Sequence, residues 1–157
     1  MSDRAYISRF TPDQLDVPVE AALSWLKWES IVPTQGRVYI KPNFTYPYFK
    51  PGVTTSPAMI EALVKALKSF TDKITIVESD GGAHAWSADE AFEGHNLPDM
   101  VKRYGITTSN LMNMPKENVT VAIDDKRVTV PLPSPLVHDA DVFISMPVPK
   151  MHMMTGV

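Results

Sequence analysis

The chain contains no cysteine, and that absence removes several function classes at once. A disulfide framework, a thiolate zinc site and an iron–sulfur cluster carried by this chain itself are all excluded. An excess of positive charge is also lacking: 15 basic residues stand against 18 acidic ones, for a net charge of −3. Without a basic field there is no electrostatic grip on nucleic acid or on an anionic membrane surface, so neither is expected as a partner. No apolar run approaches the length of a membrane span, and the opening stretch MSDRAYISRF has no signal-peptide core. A cytoplasmic location is the default expectation. Internal repeats and low-complexity tracts are absent too. What is present, 157 residues with 44% apolar content, suits a single globular domain over residues 1–157 with one buried core.

The organising stretch is Val38–Thr55, reading VYIKPNFTYPYFKPGVTT. Val38-Tyr39-Ile40 has the character of a buried strand, and Pro42 ends it by removing a backbone donor and holding Lys41 extended. A long loop bearing Pro42, Pro47 and Pro51 follows, and a loop of that length within a compact unit is more often functional than incidental. It delivers Thr54-Thr55 to a helix capped by Ser56, with Pro57 at its first position. Ile60, Leu63, Val64, Leu67 and Phe70 form that helix's apolar stripe, and Glu61 and Lys65 are spaced to pair one turn apart. Lys73–Glu78 (KITIVE) then reads as a second buried strand. Strand, loop, helix, strand is the pattern of a crossover joining parallel strands.

Upstream, Arg4–Arg9 has weak strand character and Thr11–Gln14 has the form of a capping box. The apolar spacing predicts a helix over Asp16–Val32, with Trp25 and Trp28 assigned to core packing in preference to a binding platform. Downstream, Ser87-Ala88-Asp89-Glu90 is a second capping box opening a short helix, which restarts at Asn96–Asp99 with Leu97, Val101 and Tyr104 facing inward. Ile106–Asn113 is ambiguous. Val119–Ile123 and Arg127–Leu132 flank Asp124-Asp125-Lys126 as a hairpin, either added to the sheet or projecting from it. Val142–Met146 is the last strand and is expected in the sheet interior. The fold expectation is therefore α/β: a three-layer-like unit with a mainly parallel sheet plus an added β-hairpin.

If the strands are parallel, their C-terminal ends share one rim, which is where open parallel sheets bind ligands. That rim would gather Lys41, Asn43, Thr54, Thr55, Ser56, Glu78, Asp80, His84, Lys150 and His152. Lys41 and Asn43 either close a strand or contact a ligand. Thr54-Thr55-Ser56 is either a plain helix cap or an anion site built on free amides and hydroxyls. Glu78 and Asp80, with His84 nearby, have a spacing compatible with a divalent metal but not diagnostic of one. His138 reads as a surface residue, and His95, at a helix break, is assigned no role.

Four blocks, Lys41-Pro42-Asn43, Thr54–Pro57, Glu78–Gly82 and Pro149–His152, occur in an order that resembles the family catalogued as domain of unknown function 362. The resemblance runs from about Val38 to the last residue. The family pattern continues past Thr155-Gly156-Val157, so the chain is expected to correspond to the front portion of the domain and to be C-terminally incomplete relative to it. Where relatives often carry two lysines before the histidine, this sequence has Lys150-Met151-His152. Some relatives carry cysteine-rich ferredoxin-like segments, so the resemblance implies that any redox role here depends on a separate redox partner.

Two functional expectations follow. In the first, the rim binds a small anionic metabolite, with a divalent metal as candidate cofactor at Glu78 and Asp80. Lys41, Asn43 and Thr54–Ser56 would bind the ligand, while Lys150, His152 and His84 would form the catalytic set. In the second, the chain is a non-catalytic binding or assembly module, docking onto another copy or another protein through its Met- and Pro-rich C-terminal segment.

Overall fold

The β-branched runs and capped apolar stripes become the elements their chemistry favours. In chain order these are α1 (Asp16–Leu26), β1 (Val38–Pro42), α2 (Pro57–Lys68), β2 (Ile74–Glu78), α3 (Ala88–Gly94), α4 (Leu97–Tyr104) and β3 (Thr107–Asn110), then β4 (Lys116–Ile123), β5 (Lys126–Pro133), α5 (Ser134–His138) and β6 (Val142–Met146). The computed structural model describes residues 4–11, 14–81 and 85–151. The fold is α/β with an added hairpin: a four-stranded parallel sheet in the order β3-β2-β1-β6, and β4-β5 as a separate antiparallel pair.

Register decides which side chains meet. Val38 lies opposite Ile74 and Val142, and Ile40 opposite Ile76 and Ile144, so these six residues share one face of the sheet. Against that face packs a core including Trp28, Ile60, Val64, Leu67, Phe92, Leu97 and Met100. Each fully buried aliphatic side chain of α2 contributes roughly 1.5–3 kcal/mol of transfer free energy. Charged ties at the periphery fix the helices to one another. Glu61 on α2 accepts hydrogen bonds from Arg103 and from the Tyr104 hydroxyl (2.6 Å) on α4, while Lys65 reaches Asp16 on α1 (3.3 Å). The expected Glu61–Lys65 pair is thus replaced by two ties between helices.

Several local expectations are corrected. Arg4–Arg9 is exposed and irregular. The first helix stops at Leu26 because Lys27 turns left-handed (φ 54°), and Trp28–Ser30 continues as one 3-10 turn. Trp28 is core, its ring centroid 4.0 Å from that of Phe70 at a tilt of 55°, but Trp25 is 39% exposed and packs on Tyr6 outside the core. Thr107–Asn110, within the ambiguous stretch, is a sheet strand. β6 is an edge strand of the described sheet, paired to β1 alone, so Val142, Ile144 and Met146 are only half-buried and Phe143 is exposed. Among the described residues no helix is long and apolar enough to cross a membrane.

The chain steps from β1 to β2 to β3 and then returns to the far side of β1 as β6. The strand order therefore reverses between β1 and β6, and the crevice beyond their carboxyl ends is where such sheets place ligands.

Candidate functional site

The loop from Asn43 to Ser56 is shaped by its own hydrogen bonds. At its base the Thr55 amide donates to the Asn43 carbonyl (3.0 Å), and the Asn43 amide donates to Thr55 Oγ1 (2.8 Å). The Thr55 hydroxyl in turn donates to the Met146 carbonyl (2.8 Å), joining the loop to the end of β6. Further out, Thr54 Oγ1 accepts the Lys50 amide (2.8 Å) around a turn whose Gly52 takes φ 73°. Both threonines are buried, with their hydroxyls committed to the protein's own backbone. Ser56 holds the N-cap position of α2, yet its side chain makes no capping bond.

Beside this loop a cleft of about 220 Å³ opens at the rim, and Lys41, Asn43, Thr45, Glu78, Ser79 and Asp80 are among its lining residues. Glu78 is 4% exposed and fully engaged. Its Oε1 meets Lys41 Nζ at 2.6 Å and the Ser79 amide at 2.9 Å, and its Oε2 accepts the Phe44 amide at 3.1 Å. Asp80 Oδ1 accepts from the Ala88 amide at the start of α3 (3.0 Å) and from Asn110 Nδ2 (2.9 Å). The two carboxylates therefore knit β1, β2, β3 and α3 together beneath the cleft. Among the described residues no group of three or more His, Cys, Asp or Glu is placed to hold a metal ion.

Lys150 arrives from the other side of the reversal point. Its Nζ donates to Thr45 Oγ1 (3.1 Å) and to the Val53 carbonyl (2.7 Å), and the Thr45 hydroxyl passes the chain on to Asn43 Oδ1 (2.7 Å). Those partners are neutral oxygens. Desolvation by burial pushes the Lys150 pKa below its ordinary value. Lys41 has its charge answered by Glu78; Lys150 meets no carboxylate among the described residues.

Residues 38–157 match the family described as "Domain of unknown function (DUF362)". The chain belongs to this family. No curated protein and no solved structure matches the chain. In this DUF362 domain Lys41, Asn43, Glu78 and Asp80 line one cleft, and Lys150 is linked to it through Thr45. Thr54, Thr55 and Ser56 are not among its lining residues; of the three, Thr55 reaches the site, through its bonds to Asn43. His84 and His152 lie outside the described residues, as do the last residues of the Met-rich segment.

Sequence reasoning missed Thr45, the Phe44 and Ser79 amides, and His95. The amides carry no sequence signature, and Thr45 becomes visible only as the link between Lys150 and Asn43. His95 is 1% exposed and stacks 3.8 Å from the Phe44 ring, directly behind the residue whose amide holds Glu78.

Proposed function

We propose that the rim cleft binds a small anionic metabolite carrying a carboxylate or phosphate group, with Lys150 as the principal charge contact and Lys41, Asn43 and Thr45 around it. The supporting observation is the half-buried Lys150 ammonium, held at the strand-reversal point, among the described residues, by neutral oxygens. Desolvating a cation without a counter-charge is costly, and an incoming anion would recover that cost. A lysine whose pKa lies below its usual value also gives up a proton more readily than an ordinary one, which adds Lys150 to the candidates for proton transfer at the site.

A second reading adds a divalent cation between the anion and the carboxylates, because Glu78 and Asp80 face the same cleft. It requires Lys41 to leave Glu78, and so makes metal binding dependent on the anion that would attract Lys41 away.

Thermal unfolding in phosphate, pyrophosphate and small dicarboxylates, against sodium chloride at equal ionic strength, tests both. A ligand at a hundred times its Kd stabilises by about 2.7 kcal/mol, a shift of several degrees. Lys150→Met should abolish that shift, and Lys116→Met on the distant hairpin should leave it intact. Equal shifts in the two variants would remove Lys150 from the site. Stabilisation by magnesium or manganese only in the presence of the anion would favour the second reading.

A further inference from the structure

The β4–β5 hairpin is a sheet of its own, and two-stranded hairpins are marginal in water unless something covers them. Its register puts Val119 opposite Val130 and Val121 opposite Val128, with Glu117–Leu132 and Ile123–Lys126 as the end rungs. Because strand side chains alternate, these eight residues share one face. The other face is polar, with Thr120 and Thr129 hydrogen-bonded across it at 2.8 Å. On the apolar face Ile123 is 57% exposed, Val128 39% and Leu132 37%. Six apolar side chains on one face, with an acid at one end and a base at the other, describe a surface with a specific complement.

We propose that this face pairs with the same face of a second copy of the chain, the two hairpins running antiparallel about a two-fold axis. Charge selects both occupant and orientation. With hairpins stacked antiparallel, each end of the interface holds Glu117 of one copy and Lys126 of the other. Stacked parallel, it would bring Glu117 to Glu117 and Lys126 to Lys126. Within one hairpin the two residues sit at opposite ends, roughly 20 Å apart, too far to pair with each other. His138 Nε2 lies 2.7 Å from Glu117 Oε1, which leaves Oε2 for the partner's lysine. Two such faces bury an area at or below the low end of specific interfaces, so the association is weak and depends on concentration.

Sedimentation velocity from low-micromolar to millimolar chain, with circular dichroism melts as a folding control, tests the proposal. The parent chain should shift from monomer to dimer as concentration rises. Glu117→Lys and Lys126→Glu should each weaken association by roughly tenfold, because two ion pairs per dimer become repulsions. The double variant Glu117→Lys/Lys126→Glu should recover it, and only contact between copies can produce that recovery. Asn118→Lys, on the polar face, should change nothing. A monomer at every concentration overturns the proposal; so does a dimer indifferent to the single swaps, or one the double swap fails to restore.

Discussion

His95 is buried without being fully satisfied. Its Nδ1 lies 2.8 Å from the Ala91 carbonyl, which can only accept, so Nδ1 carries the proton and Nε2 the lone pair. Among the described residues Nε2 has no hydrogen-bond partner. Charging the ring would place a cation where no carboxylate among the described residues answers it, and desolvation holds its pKa below 6.5, outweighing the opposite pull of the Ala91 bond. The unfolded histidine takes up its proton as pH falls through 6.5, whereas the folded one resists until lower pH. Between those points the unfolded chain binds more protons, so stability drops as pH drops. His95→Phe keeps a ring against Phe44 and removes the titration. Urea unfolding of the two proteins at a series of pH values should show a shallower loss of stability below pH 6.5 in the variant. Parallel slopes would mean that the acid sensitivity comes from other groups.

At the scale of elements, α3 is where the sheet, the loop and the site are bound together. Its start carries a complete capping box, Ser87 Oγ accepting the Glu90 amide and Glu90 accepting the Ser87 amide, and Ser87-x-x-Glu90 was readable as such. Its last residue is Gly94. A Cβ at Gly94 would collide with the Pro47 carbonyl, so the loop seats itself on the bare backbone there. Gly94→Ala should destabilise by about 1–3 kcal/mol, the cost of overpacking a closed contact. It should also weaken anion stabilisation by dislodging the loop that carries Thr45, with helix content retained by circular dichroism. Unchanged anion response would separate the loop's seat from the site. What the sequence made legible were elements with strong local causes: the Ser56-Pro57 start and stripe of α2, the β-branched β1 and β2, the hairpin around Asp124-Asp125. The polar strand β3 (TTSN) was not, because only pairing with β2 gives it strand character. The rim position of Lys41 and Asn43 followed from topology, but the fate of the Thr55 hydroxyl depends on Met146, 91 residues away.

For the whole molecule, cover is uneven, and stability should be uneven with it. β1 is flanked by β2 and β6, and its Val38 and Ile40 are 0% exposed beneath α2. Among the described residues β6 has a partner on one side only, and β4–β5 has no strand neighbour beyond itself. Regions with few buried apolar contacts open at a small fraction of the global unfolding free energy. Native-state hydrogen exchange on dilute protein should therefore rank the amides in order. Those of β1, β2 and the Ile60–Leu67 part of α2 should exchange only through global unfolding. β6 should be intermediate, and the hairpin should exchange by local opening that denaturant scarcely affects. Raising the protein concentration ought to slow exchange in β4 and β5 selectively, since a paired hairpin face gains cover that the sheet already has. Hairpin amides as protected as those of β1 in the dilute monomer would show that the added strands belong to the main cooperative unit, and would leave no marginal element for a second copy to stabilise.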